Sequence, residues 1–278
     1  MCEDPRVSFI ELAGRRFHYL DRGAADRPAV ILLHGFNQTC HSWDEFAPRL
    51  ADDGFRVVAL DQRGHGDSDP ARDGDYGREA MADDVARLAD ALGIARFAVI
   101  GMSMGSVHAT LATVRHAARV RALVLVDWAP EVEARGVGAI AQVANLAFPS
   151  FEASVAAMHA FNPRRSLDNL RARLAHSMGQ DEDGRWRWKV DAKGLAAHPR
   201  FREPPETMWH ALEQVACPAM IVRGAESDLL TEANAARVKQ TVRGAELVTV
   251  AGAGHSVAGD NPDGFYAVVG PFIARVAR

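Results

Sequence analysis

The chain has 278 residues, of which 48% are hydrophobic and 24% are charged, and its formal net charge is −4. This composition is ordinary for a globular protein with a large core, and a weakly acidic chain without a basic stripe is not expected to bind nucleic acid. No apolar run approaches the roughly 20 residues of a membrane-spanning helix, so no membrane partner is expected. The cysteines are widely spaced and the charged N-terminal residues lack an apolar segment, which favours a cytoplasmic protein.

Short apolar segments alternate with helical patterns along the chain. The first two segments, Val7–Leu12 and Phe17–Asp21, flank a glycine-containing turn and predict an antiparallel hairpin. The later segments predict strands at Pro28–Leu33, Phe55–Leu60, Arg96–Met102, Val120–Val126, Pro218–Arg223 and Glu246–Val250. Helical patterns cover Arg78–Leu92, Met104–His116, Thr231–Val242 and the chain from Pro262 onwards. This alternation predicts an α/β fold with a mostly parallel sheet and helices on both faces.

The alternation is interrupted between Pro130 and Pro205. This segment is rich in alanine and arginine, has helical patterns and lacks a strand-like run, so we predict a helical cap over residues 130–205. Residues 1–129 and 206–278 then form one α/β core. Arg164 and Arg165 allow two interpretations, a clamp for a substrate carboxylate or a solvated helix end. Large apolar side chains are expected mostly in the cap core, with one or two at an apolar pocket: Phe148, Phe151, Met158, Phe161, Trp186, Trp188 and Trp209.

A G-x-S-x-G motif, Gly101-Met102-Ser103-Met104-Gly105, lies between a predicted strand and a predicted helix. In that context the small flanking residues let the chain bend sharply and expose the serine hydroxyl group. The helix that follows directs its N-terminal N–H groups at developing negative charge. The alternative is an ordinary strand-to-helix turn, but the strand and helix around the motif favour Ser103 as a nucleophile.

The segment His34-Gly35-Phe36 directly follows the predicted strand Pro28–Leu33. In proteins with a G-x-S-x-G nucleophile, the loop after that strand donates a second backbone N–H to an oxyanion hole. We therefore predict the backbone amides of Phe36 and Met104 as the two donors. His34, Gly35 and Trp128 are expected at the substrate pocket. The alternative for this loop is a tight strand exit that merely needs a glycine.

The glycine-rich segment Ala251–His255 follows the strand that ends at Val250 and carries one histidine. A general base above the edge of the sheet needs a loop of this kind. His255 also comes last in the chain order Ser…Asp…His that accompanies the G-x-S-x-G motif. By contrast, His65 lies in a polar turn and His108 inside a helix, so both are expected to be structural.

Together these motifs resemble the α/β-hydrolase superfamily, in particular its capped esterase, lactonase and carbon–carbon-bond hydrolase branch. The resemblance covers nearly the whole chain and rests on His34-Gly35-Phe36, Asp61–Ser68, Gly101–Gly105, Val126–Pro130 and Gly252–His255. It implies an eight-stranded sheet with an inserted helical cap. It also implies a serine enzyme that hydrolyses a small or medium, largely apolar ester, lactone or related carbonyl substrate through an acyl-enzyme.

No cofactor and no metal are expected, because the chain has neither an HExxH motif nor a phosphate-binding glycine motif. The expected partner is a small-molecule substrate. A homo-oligomer is left open, because nothing in the sequence addresses assembly.

The acid that orients the histidine has two candidates, Asp127 and Asp228. Most members of the family carry this acid in the loop after the cap, in the pattern Gly-x-x-Asp. In the corresponding loop here, Ser227 occupies that position and Asp228 is displaced by one residue. Asp127 ends the strand that follows the nucleophile helix, and Val126–Pro130 resembles members that keep their acid there. Because parallel strands end at one edge of the sheet, either carboxylate can reach His255 Nδ1, and we predict Asp127.

Two other functions remain open on the sequence alone. A cofactor-independent oxygenase of this fold would use its His–Asp pair to deprotonate the substrate, without a serine nucleophile. A ligand-binding receptor of this fold would hydrolyse slowly and rely on movement of the cap. The intact Gly101–Gly105 motif favours hydrolysis over both alternatives.

Overall fold

A mostly parallel eight-stranded sheet forms the centre of the protein. The computed structural model describes residues 6–133, 136, 138, 142–198 and 203–277. In chain order the strands are β1 (Arg6–Leu12), β2 (Arg15–Arg22), β3 (Ala29–Leu33), β4 (Arg56–Leu60), β5 (Phe97–Met102), β6 (Val120–Val126), β7 (Met178–Gln180), β8 (Trp186–Trp188), β9 (Ala219–Gly224) and β10 (Glu246–Val250). The large sheet has the order β1-β2-β4-β3-β5-β6-β9-β10. Pairing is antiparallel between β1 and β2 and between β2 and β4, and parallel from β4 to β10. The predicted fold class and strands are confirmed.

Helices cover both faces of this sheet. They are α1 (Ala47–Asp52), α2 (Arg78–Ala91), α3 (Met104–Arg115), α4 (Phe151–Phe161), α5 (Leu167–Ser177), α6 (Ala192–Ala197), α7 (Pro205–Glu213), α8 (Glu232–Thr241), α9 (Val257–Asp260) and α10 (Pro262–Val276). Helices α2, α3, α7 and α8 pack on one face, while α1 and α10 pack on the other. In the part of the chain that the structure describes, no helix has the length and apolar character needed to cross a membrane.

Side chains of the central strands alternate between two hydrophobic cores. In β3, Ile31 and Leu33 join the core under α2 and α3, whereas Val30 and Leu32 join the core under α10. All four side chains are fully buried. A strand covered on both faces is apolar throughout, which explains the continuous hydrophobic runs in the sequence. The carboxyl ends of the parallel strands meet at one edge, where an α/β sheet places its ligand site.

The insertion between β6 and α7, residues 130–205, contains a short β-hairpin in addition to helices. Strands β7 and β8 pair antiparallel, whereas the sequence pattern predicted helices alone. The turn is built on Asp181, whose Oδ1 accepts the N–H groups of Asp183 and Arg185, and on Gly184, which has a φ of 73°. The signal in the sequence was the Asp-Gly turn followed by the alternation Trp186-Arg187-Trp188.

The insertion also has a hydrophobic core of its own. Six buried side chains form it: Phe148, Val155, Met158, Leu170, Leu174 and Met178. Trp186 and Trp188 pack against this cluster, as expected for most of the aromatic residues in the insertion. Trp209 instead belongs to the main core beneath α7. The described residues of the insertion therefore pack around a hydrophobic cluster that is separate from the two cores of the sheet.

Candidate active site

Ser103 lies in a strained turn between β5 and α3. Its φ of 52° and ψ of −117° form a left-handed conformation that costs a non-glycine residue about 1–3 kcal/mol. The turn is also very tight. A methyl group on Gly101 would come within 2.3 Å of the Gly105 carbonyl oxygen, and one on Gly105 would come within 2.3 Å of the Leu33 carbonyl oxygen. The two glycines of the motif are therefore a steric requirement of the bend that exposes Ser103.

The loop after β3 runs directly beside the nucleophile turn. A methyl group on Gly35 would lie 3.3 Å from Ser103 Cβ, so the next amide, that of Phe36, belongs to a segment in contact with this turn. Met104 is the first residue of α3, and the amide of a first helical residue has no acceptor within its own helix. Both predicted oxyanion donors thus come from segments that adjoin Ser103.

His34 and Trp128, which were expected at the substrate pocket, are both buried in the interior. His34 is fully buried; its Nε2 accepts the Gln62 N–H at 3.0 Å and its Nδ1 lies 2.8 Å from the Gly35 carbonyl oxygen. Burial lowers the pKa of His34, which favours the neutral ring that this bonding needs. Trp128 is 7% exposed and packs in the main core. His34 therefore packs against the oxyanion loop from the interior, and neither side chain is among the residues that line the candidate pocket described below.

Asp127 and His255 are brought together at the carboxyl edge of the sheet. Asp127 Oδ2 lies 2.8 Å from His255 Nδ1, and because a carboxylate can only accept, Nδ1 carries the proton and Nε2 is free to act as a base. The Asp127 carboxylate is fully buried. It also accepts the Gly224 N–H on Oδ1 at 3.0 Å and the Ser227 hydroxyl on Oδ2 at 2.5 Å. These three donors compensate the cost of burying the charge.

Ser227, at the usual acid position, and its neighbour Asp228 have different surroundings. The Ser227 hydroxyl donates to Asp127 and accepts the N–H groups of Leu229 and Leu230. Asp228 is exposed and makes no hydrogen bond to a described side chain. Sequence reasoning gave Ser227 no role, although its position in the family pattern was a signal that it lies near the acid.

A cavity lies between the oxyanion loop and the insertion. It has a volume of about 140 Å³ and is lined by Phe36 and Asn37 of the loop and by Ser256, the neighbour of His255. Side chains of the insertion close it, and most of them are apolar: Val143, Met158, Phe161, Leu170, Leu174 and Trp188. Its position next to both the predicted oxyanion donor and the histidine makes it the candidate substrate pocket.

Both arginines that the sequence offered as a carboxylate clamp already have acidic partners. Arg164 pairs with Glu226. Arg165 Nε donates to Asp260 Oδ1 at 3.0 Å, and the other oxygen of Asp260 accepts the Gly254 N–H at 3.0 Å. Gly254 directly precedes His255 in the chain. Arg165 thus connects the insertion to the histidine loop instead of offering a free cation to substrate.

Two groups of side chains with metal-ligand chemistry assemble from distant segments. The buried group centres on Asp61, which lies 2.7 Å from His18 Nδ1 and accepts the Cys40 N–H at 2.6 Å. Burial by itself raises the pKa of Asp61, but these hydrogen bonds outweigh it and lower the pKa to about 2. These internal hydrogen bonds explain why His18, Cys40 and Asp61 lie close together. The other group lies at the boundary with the insertion and consists of His41, Asp44 and His176.

Comparison with known proteins shows the family to which this chain belongs. Residues 28–262 match the family model described as alpha/beta hydrolase fold. The chain belongs to the α/β-hydrolase family. It is an α/β-hydrolase enzyme, as its sequence motifs implied, and the matched residues include the Ser103 turn, Asp127 and His255.

Curated relatives of this α/β-hydrolase include an esterase and a deformylase. An esterase of Mycobacterium tuberculosis is 29% identical over 259 residues, which cover 89% of this chain and 83% of the relative. An N-formylmaleamate deformylase of Pseudomonas putida is 30% identical over 265 residues, which cover 95% of each chain. The crystal structure of an α/β-hydrolase from Novosphingobium aromaticivorans superposes with a TM-score of 0.83 at 28% identity and covers 98% of this chain and 99% of its own.

Proposed function

We propose that this α/β-hydrolase is a serine hydrolase that works through an acyl-enzyme, with Ser103 as nucleophile, His255 as general base and Asp127 as the acid. The observation that carries the proposal is the strained turn at Ser103, with φ of 52°, directly after a strand that pairs with the strand preceding Asp127. Strain of this kind persists where the surrounding structure enforces it, and it clusters at active sites. An ordinary strand-to-helix turn has no need of it.

The proposed reaction has two halves. The Ser103 hydroxyl oxygen attacks the substrate carbonyl carbon while His255 Nε2 takes the proton, and the Phe36 and Met104 amides stabilise the resulting oxyanion. The imidazolium then protonates the leaving group as the carbonyl–heteroatom bond breaks. In the second half, His255 deprotonates a water molecule that attacks the acyl-enzyme, and Ser103 leaves with the proton. Asp127 holds the histidine tautomer and stabilises the imidazolium in both halves.

The proposed substrate is a small or medium, largely apolar ester, lactone or related carbonyl compound. A cavity of about 140 Å³ with mainly apolar side chains of the insertion suits a compact molecule. The relatives named for an ester and for an N-formyl compound support carbonyl cleavage. Residues 130–205 are proposed as the cap that closes this pocket.

Labelling and turnover of the same two proteins test the proposal. A fluorophosphonate should label the wild-type chain at Ser103, and p-nitrophenyl acetate should be hydrolysed with a burst of p-nitrophenol. Ser103→Ala should lose both while its circular dichroism and melting curve stay those of the wild type. Wild-type ester turnover in this variant would overturn the proposal. Oxygen consumption without acyl-enzyme formation would select the oxygenase alternative, and labelling without turnover would select the receptor.

A further inference from the structure

Arg173 lines the candidate pocket and indicates which class of substrate the pocket binds. We propose that the substrate carries a carboxylate, and that the Arg173 guanidinium and the Asn37 side-chain amide bind it inside the cavity that Phe36 and Ser256 also line. The inference rests on the proposed serine hydrolase function and deepens it, because an otherwise apolar substrate would then have one anionic end.

Arg173 faces the cavity from the insertion. It lies on α5, and residues at helical spacing on the same face, Leu170, Leu174 and Ser177, also line the cavity. Its Nη1 donates to the Ser42 carbonyl oxygen at 3.2 Å, which leaves most of the five guanidinium N–H donors without a partner among the described residues. It forms no ion pair with a described carboxylate, in contrast to Arg165, whose partner is Asp260.

The electrostatic setting of Arg173 favours an anion. Burial and the charge of Arg165 lower the pKa of Arg173. Three carboxylates beyond ion-pair distance raise it: Glu45, Asp44 and Asp260. A guanidinium nevertheless stays protonated at neutral pH. An incompletely solvated cation of this kind is costly until it is paired. A carboxylate that enters the cavity supplies that pairing in a bidentate geometry.

Asn37 provides a second, independent observation in the same cavity. Its side chain is 9% exposed, yet neither Nδ2 nor Oδ1 has a hydrogen-bond partner. A buried polar group left unpaired costs about 1–3 kcal/mol, so a partner from the substrate would recover this energy. Asn37 directly follows Phe36, whose amide is proposed to hold the oxyanion, and its φ of 58° turns the chain at this point. Nδ2 can therefore donate to an anionic group near the reacting carbonyl.

Matched substrates and a matched control variant test the proposal. We compare mono-p-nitrophenyl glutarate with its neutral counterpart p-nitrophenyl pentanoate, and 4-carboxyphenyl acetate with 4-methylphenyl acetate, so that the carboxylate is tried on each side of the scissile bond. Wild-type kcat/KM should favour the anionic member of one pair by about 10- to 100-fold, the range expected of a charge-assisted hydrogen bond. Arg173→Met should remove this preference through KM, so that the anionic and neutral members of that pair have similar kcat/KM values.

Arg171→Met is the control, because Arg171 lies on the same helix, is 43% exposed and pairs with Glu152. It should keep the wild-type preference. Asn37→Asp should also lose the preference, because the new carboxylate competes with the substrate carboxylate for Arg173. Asp tolerates the positive φ of this position as Asn does. Independently of any variant, glutarate should protect wild-type Ser103 from the fluorophosphonate, whereas glutaramide should not.

The outcomes separate this inference from the proposed function. Equal wild-type rates on both members of both pairs, or failure of glutarate to protect Ser103 from the fluorophosphonate, would overturn the carboxylate site while leaving the serine mechanism intact. An unchanged preference in Arg173→Met would overturn the role of Arg173. Absence of labelling and of turnover on every ester would instead count against the serine hydrolase itself.

Discussion

Replacement of Asp127 by Asn tests the least conventional part of the site. Asn is the appropriate probe because Asp127 has a φ of 49°, and Asn tolerates the left-handed region as Asp does. The three donors that face the carboxylate, from His255, Ser227 and Gly224, cannot all be satisfied by one amide. If the amide nitrogen faces Gly224, two N–H donors oppose each other. If it faces His255, the ring must adopt the tautomer with a proton on Nε2, which cannot take the Ser103 proton.

The expected loss is large because both orientations also remove the negative charge that stabilises the imidazolium. Loss of the acid reduces kcat by about 10⁴-fold in other triads, which corresponds to about 5 kcal/mol of transition-state stabilisation. Asp228→Asn is the matched control, and it should change kcat less than about twofold because Asp228 is exposed and the His255 Nδ1 proton is accepted by Asp127. Initial rates on an activated ester, with melting curves for both variants, provide the measurement. A larger loss in Asp228→Asn than in Asp127→Asn would refute the reasoning.

Three further predictions follow from the same contacts. Ser227→Ala should lower kcat by about 10- to 100-fold, the value of one hydrogen bond to a charged group, with a smaller effect on KM; an unchanged kcat would show that Asp127 needs no support from Ser227. Gly105→Ala should prevent correct folding of the turn, because its methyl group would lie 2.3 Å from the Leu33 carbonyl oxygen; soluble protein with a wild-type melting temperature would contradict this. Asp61→Asn should destabilise the protein at pH 7 by about 2.5 kcal/mol, since the pKa of Asp61 is lowered from 3.8 to about 2 and each unit corresponds to about 1.4 kcal/mol. This contribution is present above the unfolded pKa and lost as the pH falls through the folded pKa. The free energies of unfolding of wild type and variant, measured by urea titration, should therefore converge between about pH 4 and pH 2. A difference that stays constant over this range would contradict the prediction.

Local sequence patterns were sufficient for the sheet and for the nucleophile turn. Apolar runs bounded by glycine and polar turns mark fully buried strands, and the spacing of Gly101 and Gly105 encodes a steric requirement within five residues. The choice of Asp127 likewise followed from its place at a strand end. In each case the deciding interaction is either local or imposed by the parallel sheet.

Features that depend on packing between distant segments could not be predicted in the same way. Ser227 and Asp127 are 100 positions apart, and their hydrogen bond exists only once β6 and β9 pair. Arg173 belongs to an arginine-rich helical segment, so its sequence resembles a solvated helix face, and its contact with the Ser42 carbonyl oxygen depends on how the insertion packs over the core. His34 was expected at the pocket, yet its ring is buried and its Nε2 accepts the Gln62 N–H in the interior.

The register between β5 and β6 has a mechanical consequence. Met102 is paired with Val126, so Ser103 and Asp127 leave neighbouring strands at the same level, and both have positive φ values, 52° and 49°. The Ser103 N–H donates to the Val126 carbonyl oxygen at 3.0 Å, and the Asp127 N–H donates to that of Val222 at 2.8 Å. Two of the three proposed catalytic groups are therefore fixed to one rigid part of the scaffold. The separation between nucleophile and acid is set by the spacing of adjacent strands, and alignment of the triad depends on the placement of a single loop, the one that carries His255.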